Sequence, residues 1–146
     1  MERKNLLNEI AIIYHWMKEM FKNFEVSEVE TSLNSTQARV IIMIYNHKDN
    51  TMSKISRGVG LEKGSFTSVI DNLIEEGYVI RNRNVKDRRK ISLELTEKGR
   101  LIAEDMQNIM LKKIEAFIYK DGDEKAKEYL NAIRVLSELS PMAKRS

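Results

Sequence analysis

The chain has no cysteine, one proline, six glycines and two histidines in 146 residues. Without thiols it has no cysteine nucleophile, no thiol redox switch and no cysteine-ligated zinc or iron–sulfur centre. So few helix breakers leave long helices uninterrupted. The histidines, His15 and His47, fall in different expected elements and outside spaced ligand motifs such as HExxH. His15, beside Tyr14 and Trp16, reads as a core or interface residue. No P-loop, dinucleotide fingerprint, nucleophile elbow or EF-hand pattern occurs. No metal, cofactor or catalytic residue is therefore expected, and an enzyme is not the expected class. No apolar run approaches the ~18 residues of a bilayer span, and MERKNLLNE has no signal-peptide pattern. The expectation is a cytoplasmic protein with no membrane partner.

What the chain does have is a globular balance, 42% hydrophobic and 32% charged, consistent with one domain and a real core. Residues 5–24 form an expected helix with Leu6, Ile10, Ile13, Met17, Phe21 and Phe24 on one face. Tyr14, Trp16 and Met20 widen that face. Residues 24–33 have no clean period and read as a loop. Asn34 and Gln37 form a capping-box pattern ahead of a stripe of Val40, Ile41, Ile44 and Tyr45. The turn formers NHKDN follow. Thr51 caps a short helix over 52–57, and Gly58 and Gly60 permit the turn after it.

The next helix is fixed by Phe66, Val69, Ile70, Leu73 and Ile74, one stripe of period 3.6. Gly64, Ser65, Ser68, Asn72 and Glu75 point away from that stripe, with Thr67 on the flank. Gly77 ends the helix. Tyr78, Val79 and Ile80 begin an extended arm, and Ile91, Leu93 and Leu95 alternate with Ser92 and Glu94 as a half-buried strand. The arms enclose RNRNVKDRRK, where Arg81, Arg83, Lys86, Arg88, Arg89 and Lys90 stand against Asp87 alone. That segment carries +5 in a chain of net +3, so the remainder sums to −2. Basic charge concentrated in one hairpin marks a phosphate-bearing partner. Thr96 then caps a long helix over 97–119, and a last helix over 124–140 turns Tyr129, Ile133, Leu136 and Leu139 inward. Pro141 stops it before a basic tail.

The run DRRKISLELTEKG after NLIEEGYV resembles the wing of the MarR family of winged-helix transcription regulators. LEKGSFTSVIDNL looks like that family's recognition helix, and LNSTQARVI like the start of its second helix. The resemblance implies a mainly α fold with a small β-hairpin wing: a winged helix-turn-helix over residues 34–96, flanked by dimerisation helices in 1–33 and 97–146. One departure is Glu62, at a position where the family commonly has Ser, Thr or Asp as helix cap; glutamate caps less well.

A recognition helix reads base edges with its N-terminal half. Here that half offers Lys63, Gly64, Ser65, Thr67 and Ser68, with Asn72 one turn on, whereas Asp71, Glu75 and Glu76 would be repelled by phosphates. The helix is therefore expected to insert by its N-terminus. By the resemblance, Arg89 or Arg88 enters the minor groove and Asp87 holds the loop by pairing with arginine. Arg81, Arg83, Lys86 and Lys90 become phosphate contacts.

The expected function is a sequence-specific, homodimeric regulator of double-stranded DNA, most often a repressor in this family, reading a pseudo-palindrome. A small-molecule effector between the dimerisation and DNA-binding regions would shift recognition-helix spacing. Tyr14, Trp16, Met17 and Phe21 are the candidates for lining its pocket. The alternative is a winged-helix module that meets protein, which would have no need of +5 on its wing.

Overall fold

A computed structural model describes residues 3–22, 29, 31–83, 86–87 and 89–139, with the side chains of Lys4, Phe21 and Lys22 outside that set. The elements run α1 (Arg3–Lys22), α2 (Ser35–Asn46), α3 (Met52–Val59), α4 (Lys63–Glu75), β1 (Val79–Arg83), β2 (Ile91–Leu95), α5 (Glu97–Tyr119) and α6 (Asp123–Leu139). They divide into two compact units, Glu25–Ile109 and Met1–Phe24 with Met110–Ser146. The division falls inside α5. Most of the expected loop at 24–33, and the stop at Pro141 with its tail, lie outside the described residues.

In the first unit, the capping box at α2 forms as its sequence dictates. Asn34 Oδ1 accepts from the Gln37 amide at 2.9 Å, and Gln37 Oε1 accepts from the Asn34 amide at 2.9 Å. At the other end of α2, Asn50 Nδ2 donates to the carbonyls of Ile44 and His47, each at 2.9 Å. This satisfies acceptors that a helix terminus leaves open. Thr51 Oγ1 accepts from the Lys54 amide and starts α3. That helix runs to Val59, two residues past the expected end, because Gly58 is part of it. A Cβ on Gly58 would stand 2.6 Å from Met43 Sδ. Gly58 is therefore where α2 and α3 pack closely, and the turn itself falls to Gly60.

The α4 stripe closes the core: Phe66, Ile70 and Leu73 are buried beside Val40, Ile41, Ile55 and Leu93. At its end Gly77 adopts φ +81°, the Gly77 amide donates to Ile74 O, and the Tyr78 amide donates to Leu73 O at 2.8 Å. These are the two bonds of a Schellman cap, which calls for a left-handed residue at Gly77. The chain then turns into β1, whose antiparallel partner β2 pairs Val79 with Leu95 and Arg83 with Ile91. The first arm begins at Val79 and leaves Tyr78 to the cap. An isolated bridge, Thr51 to Ser92, with Leu93 N donating to Asn50 O at 2.8 Å, fastens the hairpin to the α2–α3 turn.

Thr96 joins the hairpin to α5. Its Oγ1 donates to Gly77 O at 2.6 Å and accepts from the Gly99 amide at 3.1 Å, while its own amide donates to Tyr78 O. Gly99 lies so close to this strand entry that an added Cβ would come within 2.2 Å of Tyr78 O.

In the second unit, Trp16 of α1 packs edge-on to Phe117 of α5 at 5.6 Å and against Tyr129 of α6 at 5.4 Å. Among its described residues Met20, Ile118 and Ala126 are buried. Ile133, Leu136 and Leu139, expected to face inward, are 36%, 53% and 77% exposed. The apolar stripe of α6 is real, but its own chain covers only the end near Ala126 and Tyr129. The described α1 side chains behave likewise, with Leu6, Ile10, Ile13, Tyr14 and Met17 exposed.

Candidate nucleic-acid interface

The N-terminal half of α4 is bare. Lys63, Gly64, Ser65 and Ser68 are exposed, as is Asn72 one turn further along. Glu62 stands at the N-cap and makes no side-chain capping bond, as expected of glutamate. The first-turn amides therefore lack a side-chain cap from the chain itself. Thr67 Oγ1 donates to Lys63 O at 2.8 Å. Its hydroxyl hydrogen is spent inside the helix, leaving acceptor lone pairs for a partner. Beyond its chain neighbours and its own helix backbone, no heavy atom lies within 4 Å of where a Gly64 Cβ would be, so packing does not require glycine there.

Between α4, α3 and the hairpin lies a groove of about 880 Å³. It brings together Lys63 and Thr67 from α4, Arg81 from β1, and Arg89 and Lys90 from the wing. It also gathers Ser53, Lys54 and Arg57 from α3, which the sequence reading passed over. Their signal was available: SKISR places two cations and a serine on the exposed face of a helix preceding the recognition helix. Among the described residues six cations line the groove against one carboxylate, Asp49. The hydrogen bond from Lys54, followed by its charge, holds the Asp49 carboxyl below its usual value. Gly64, Ser65, Ser68, Asn72, Arg83, Lys86 and Asp87 are not among the groove's lining residues. Arg88 lies outside the described residues.

Asp87 and Arg81 each have a partner within the chain. Asp87 holds the wing through the backbone: its Oδ1 accepts from the Arg89 amide at 3.1 Å, and its carbonyl accepts from the Lys90 amide at 3.0 Å. A carboxylate that accepts from the amide two residues on makes an Asx turn. Arg81 Nη2 donates to Asp71 Oδ1 at 2.7 Å.

In the helical unit an open concavity of about 760 Å³ is lined by Asn8, Ala11, Ile12, His15, Trp16, Glu19, Phe117 and Lys120. Of the four expected pocket residues it includes Trp16. Tyr14 and Met17 are exposed but do not line it, and the Phe21 side chain lies outside the described residues. Among the described residues no cluster of histidine and acidic side chains could hold a metal ion, and no helix is long and apolar enough to cross a membrane.

A family model of the transcriptional regulator SarA/Rot matches residues 22–106, more than half of the chain. The chain belongs to the SarA/Rot family of transcriptional regulators. The HTH-type transcriptional regulator SarZ of Staphylococcus aureus is 28% identical over 123 residues, 84% of this chain and 82% of SarZ. Among solved structures, FabT of Streptococcus pneumoniae in complex with DNA has a TM-score of 0.65 at 26% identity, covering 90% of this chain and 99% of FabT. A MarR variant from E. coli complexed with operator DNA has a TM-score of 0.63 at 19% identity, covering 97% and 100%. The SarA/Rot chain thus has the MarR-like winged-helix fold that its wing sequence resembles.

Proposed function

We propose that this SarA/Rot-family regulator binds double-stranded DNA sequence-specifically as a cytoplasmic homodimer and represses the promoters it occupies. The observation that carries the reading is the cationic groove with Lys63 and Thr67 of α4 on its wall, on the same half of the helix as the exposed Gly64, Ser65 and Ser68. Lys63, Gly64, Ser65, Thr67, Ser68 and Asn72 would face base edges in the major groove, where small polar side chains allow close approach. Arg89 or Arg88 would reach the minor groove from the wing. Arg83, Lys86, Lys90, Lys54 and Arg57 would neutralise phosphates. Asp87 would support them by fixing the turn. FabT and the MarR variant, both solved with DNA, support the reading by likeness.

Dimerisation would cover the exposed apolar faces of α1 and α6 and place two copies of α4 about one helical turn of DNA apart. A small-molecule effector would work by population shift, favouring a spacing that no longer fits the operator.

The test is selection from random duplexes, followed by affinity measurements over a salt series with wild type and Arg89→Ala. The expected result is an enriched inverted repeat and a steep salt slope. Arg89→Ala should bind about tenfold more weakly, with its slope reduced by about one. Weak binding with no enriched sequence and no sensitivity to Arg89 would favour a module that meets protein instead.

A further inference from the structure

Arg81 differs from Arg57, Lys63, Arg89 and Lys90 in the groove: its charge already has a carboxylate partner within the chain, Asp71. The pair joins two elements, α4 and β1. Both side chains remain open to solvent, at 33% exposure for Arg81 and 56% for Asp71. A pair this exposed adds little to folding stability, so its main consequence is local charge. The backbone at Arg81 is fixed, because it pairs in register with Leu93, a fully buried core residue. Only the guanidinium end is free to choose between partners.

Asp71 stands eight residues beyond Lys63, about 12 Å along the helix axis from the end that offers small polar side chains. A duplex entering the groove meets Arg81 with its charge largely cancelled and a carboxylate beside it. The geometry points to Asp71 as a specificity-determining residue that holds Arg81 in reserve, so that this cation engages phosphate only on a duplex well seated by α4. The inference rests on the DNA-binding reading above.

On a random duplex the backbone is held loosely and Arg81 stays with Asp71. On a matched site, base contacts by α4 fix the backbone. The guanidinium, held to Asp71 by a single exposed bond, then turns to a phosphate. A cationic groove by itself favours all duplexes alike, because phosphates carry no sequence information. An internal counter-charge adds the repulsive element by which an interface discriminates against poor partners.

The experiment compares wild type, Asp71→Asn, Arg81→Ala and the double variant on the selected operator and on random duplex, between about 50 and 200 mM salt. Asp71→Asn should raise affinity for random duplex by about three- to tenfold. It should also steepen the loss over that salt range by about 3.5-fold, the effect of one further phosphate contact. Operator affinity should change little, so the specificity ratio falls. In the Arg81→Ala background Asp71→Asn should have no further effect. If wild type binds with a steep salt slope but Asp71→Asn leaves random-duplex affinity unchanged, or weakens both duplexes equally, this inference alone is overturned. A gain that persists without Arg81 would also overturn it and assign the effect to direct repulsion by Asp71. If wild type binds neither duplex, the DNA-binding reading fails and this inference with it.

Discussion

In the winged-helix unit apolar side chains are taken up by the core, whereas the helical unit leaves them on its surface. Among the described residues, all the exposed large apolar side chains except Ile80 and Leu101 lie in residues 1–24 or 110–146. All the buried ones except Met20, Ile118 and Ala126 lie in residues 25–109. Both units have amphipathic helices, so helix periodicity does not separate them. The difference is in what each helix finds to pack against: α4 has α2 and β1 beside it in one unit, while in the other Trp16 of α1 meets Tyr129 of α6 and the rest of both apolar faces is largely exposed. Periodicity in a sequence therefore reports that a face must be covered and leaves open which molecule covers it.

The largest test of this contrast is Leu136→Lys on the open face of α6. Burying one leucine is worth about 1.5–3 kcal/mol, and a two-fold interface counts the change twice. Self-association should weaken at least about 100-fold, measured by sedimentation, with helical content retained. A variant that stays dimeric would place the interface elsewhere.

Gly99→Ala tests the other unit. Its methyl group must displace Tyr78 O, which accepts the Thr96 amide. The winged-helix unit should lose about 3 kcal/mol in denaturant unfolding. Gly64→Ala makes the reverse case. Its Cβ meets no atom of the chain, so stability should rise by about 0.5–1 kcal/mol. Affinity for the operator should nonetheless fall, because the methyl group stands where DNA would approach. A stable Gly99→Ala protein, or a Gly64→Ala protein with undiminished affinity, would remove the distinction between a glycine kept for packing and one kept for a partner.

The elements that could be read from sequence are those whose cause is local. The Asn34–Gln37 box, the α4 stripe, the Gly77 stop, the alternation of β2 and the Thr96 start each depend on residues within a few positions of one another. The cationic hairpin was legible for the same reason. What escaped depends on distant partners. Gly58 looks like a turn residue until Met43, fifteen positions earlier, is placed on it. Arg81 reads as a free cation until the Schellman turn brings Asp71 alongside, ten residues back. Lys54 and Arg57 join the wing cations only because the Thr51–Ser92 bridge, spanning 41 positions, fastens the hairpin to the start of α3.

That bridge occupies the β2 side of the hairpin, and β1 pairs with β2 alone among the described residues. An unpaired strand edge is a template for association with other chains, and charge on such a strand is a common safeguard against aggregation. Arg81 and Arg83 flank Asn82 on this edge strand, after the exposed Ile80. The arginines that suit the hairpin to phosphate thus also guard it against sheet extension. Variants neutralised at both arginines would be expected to lose solubility along with affinity.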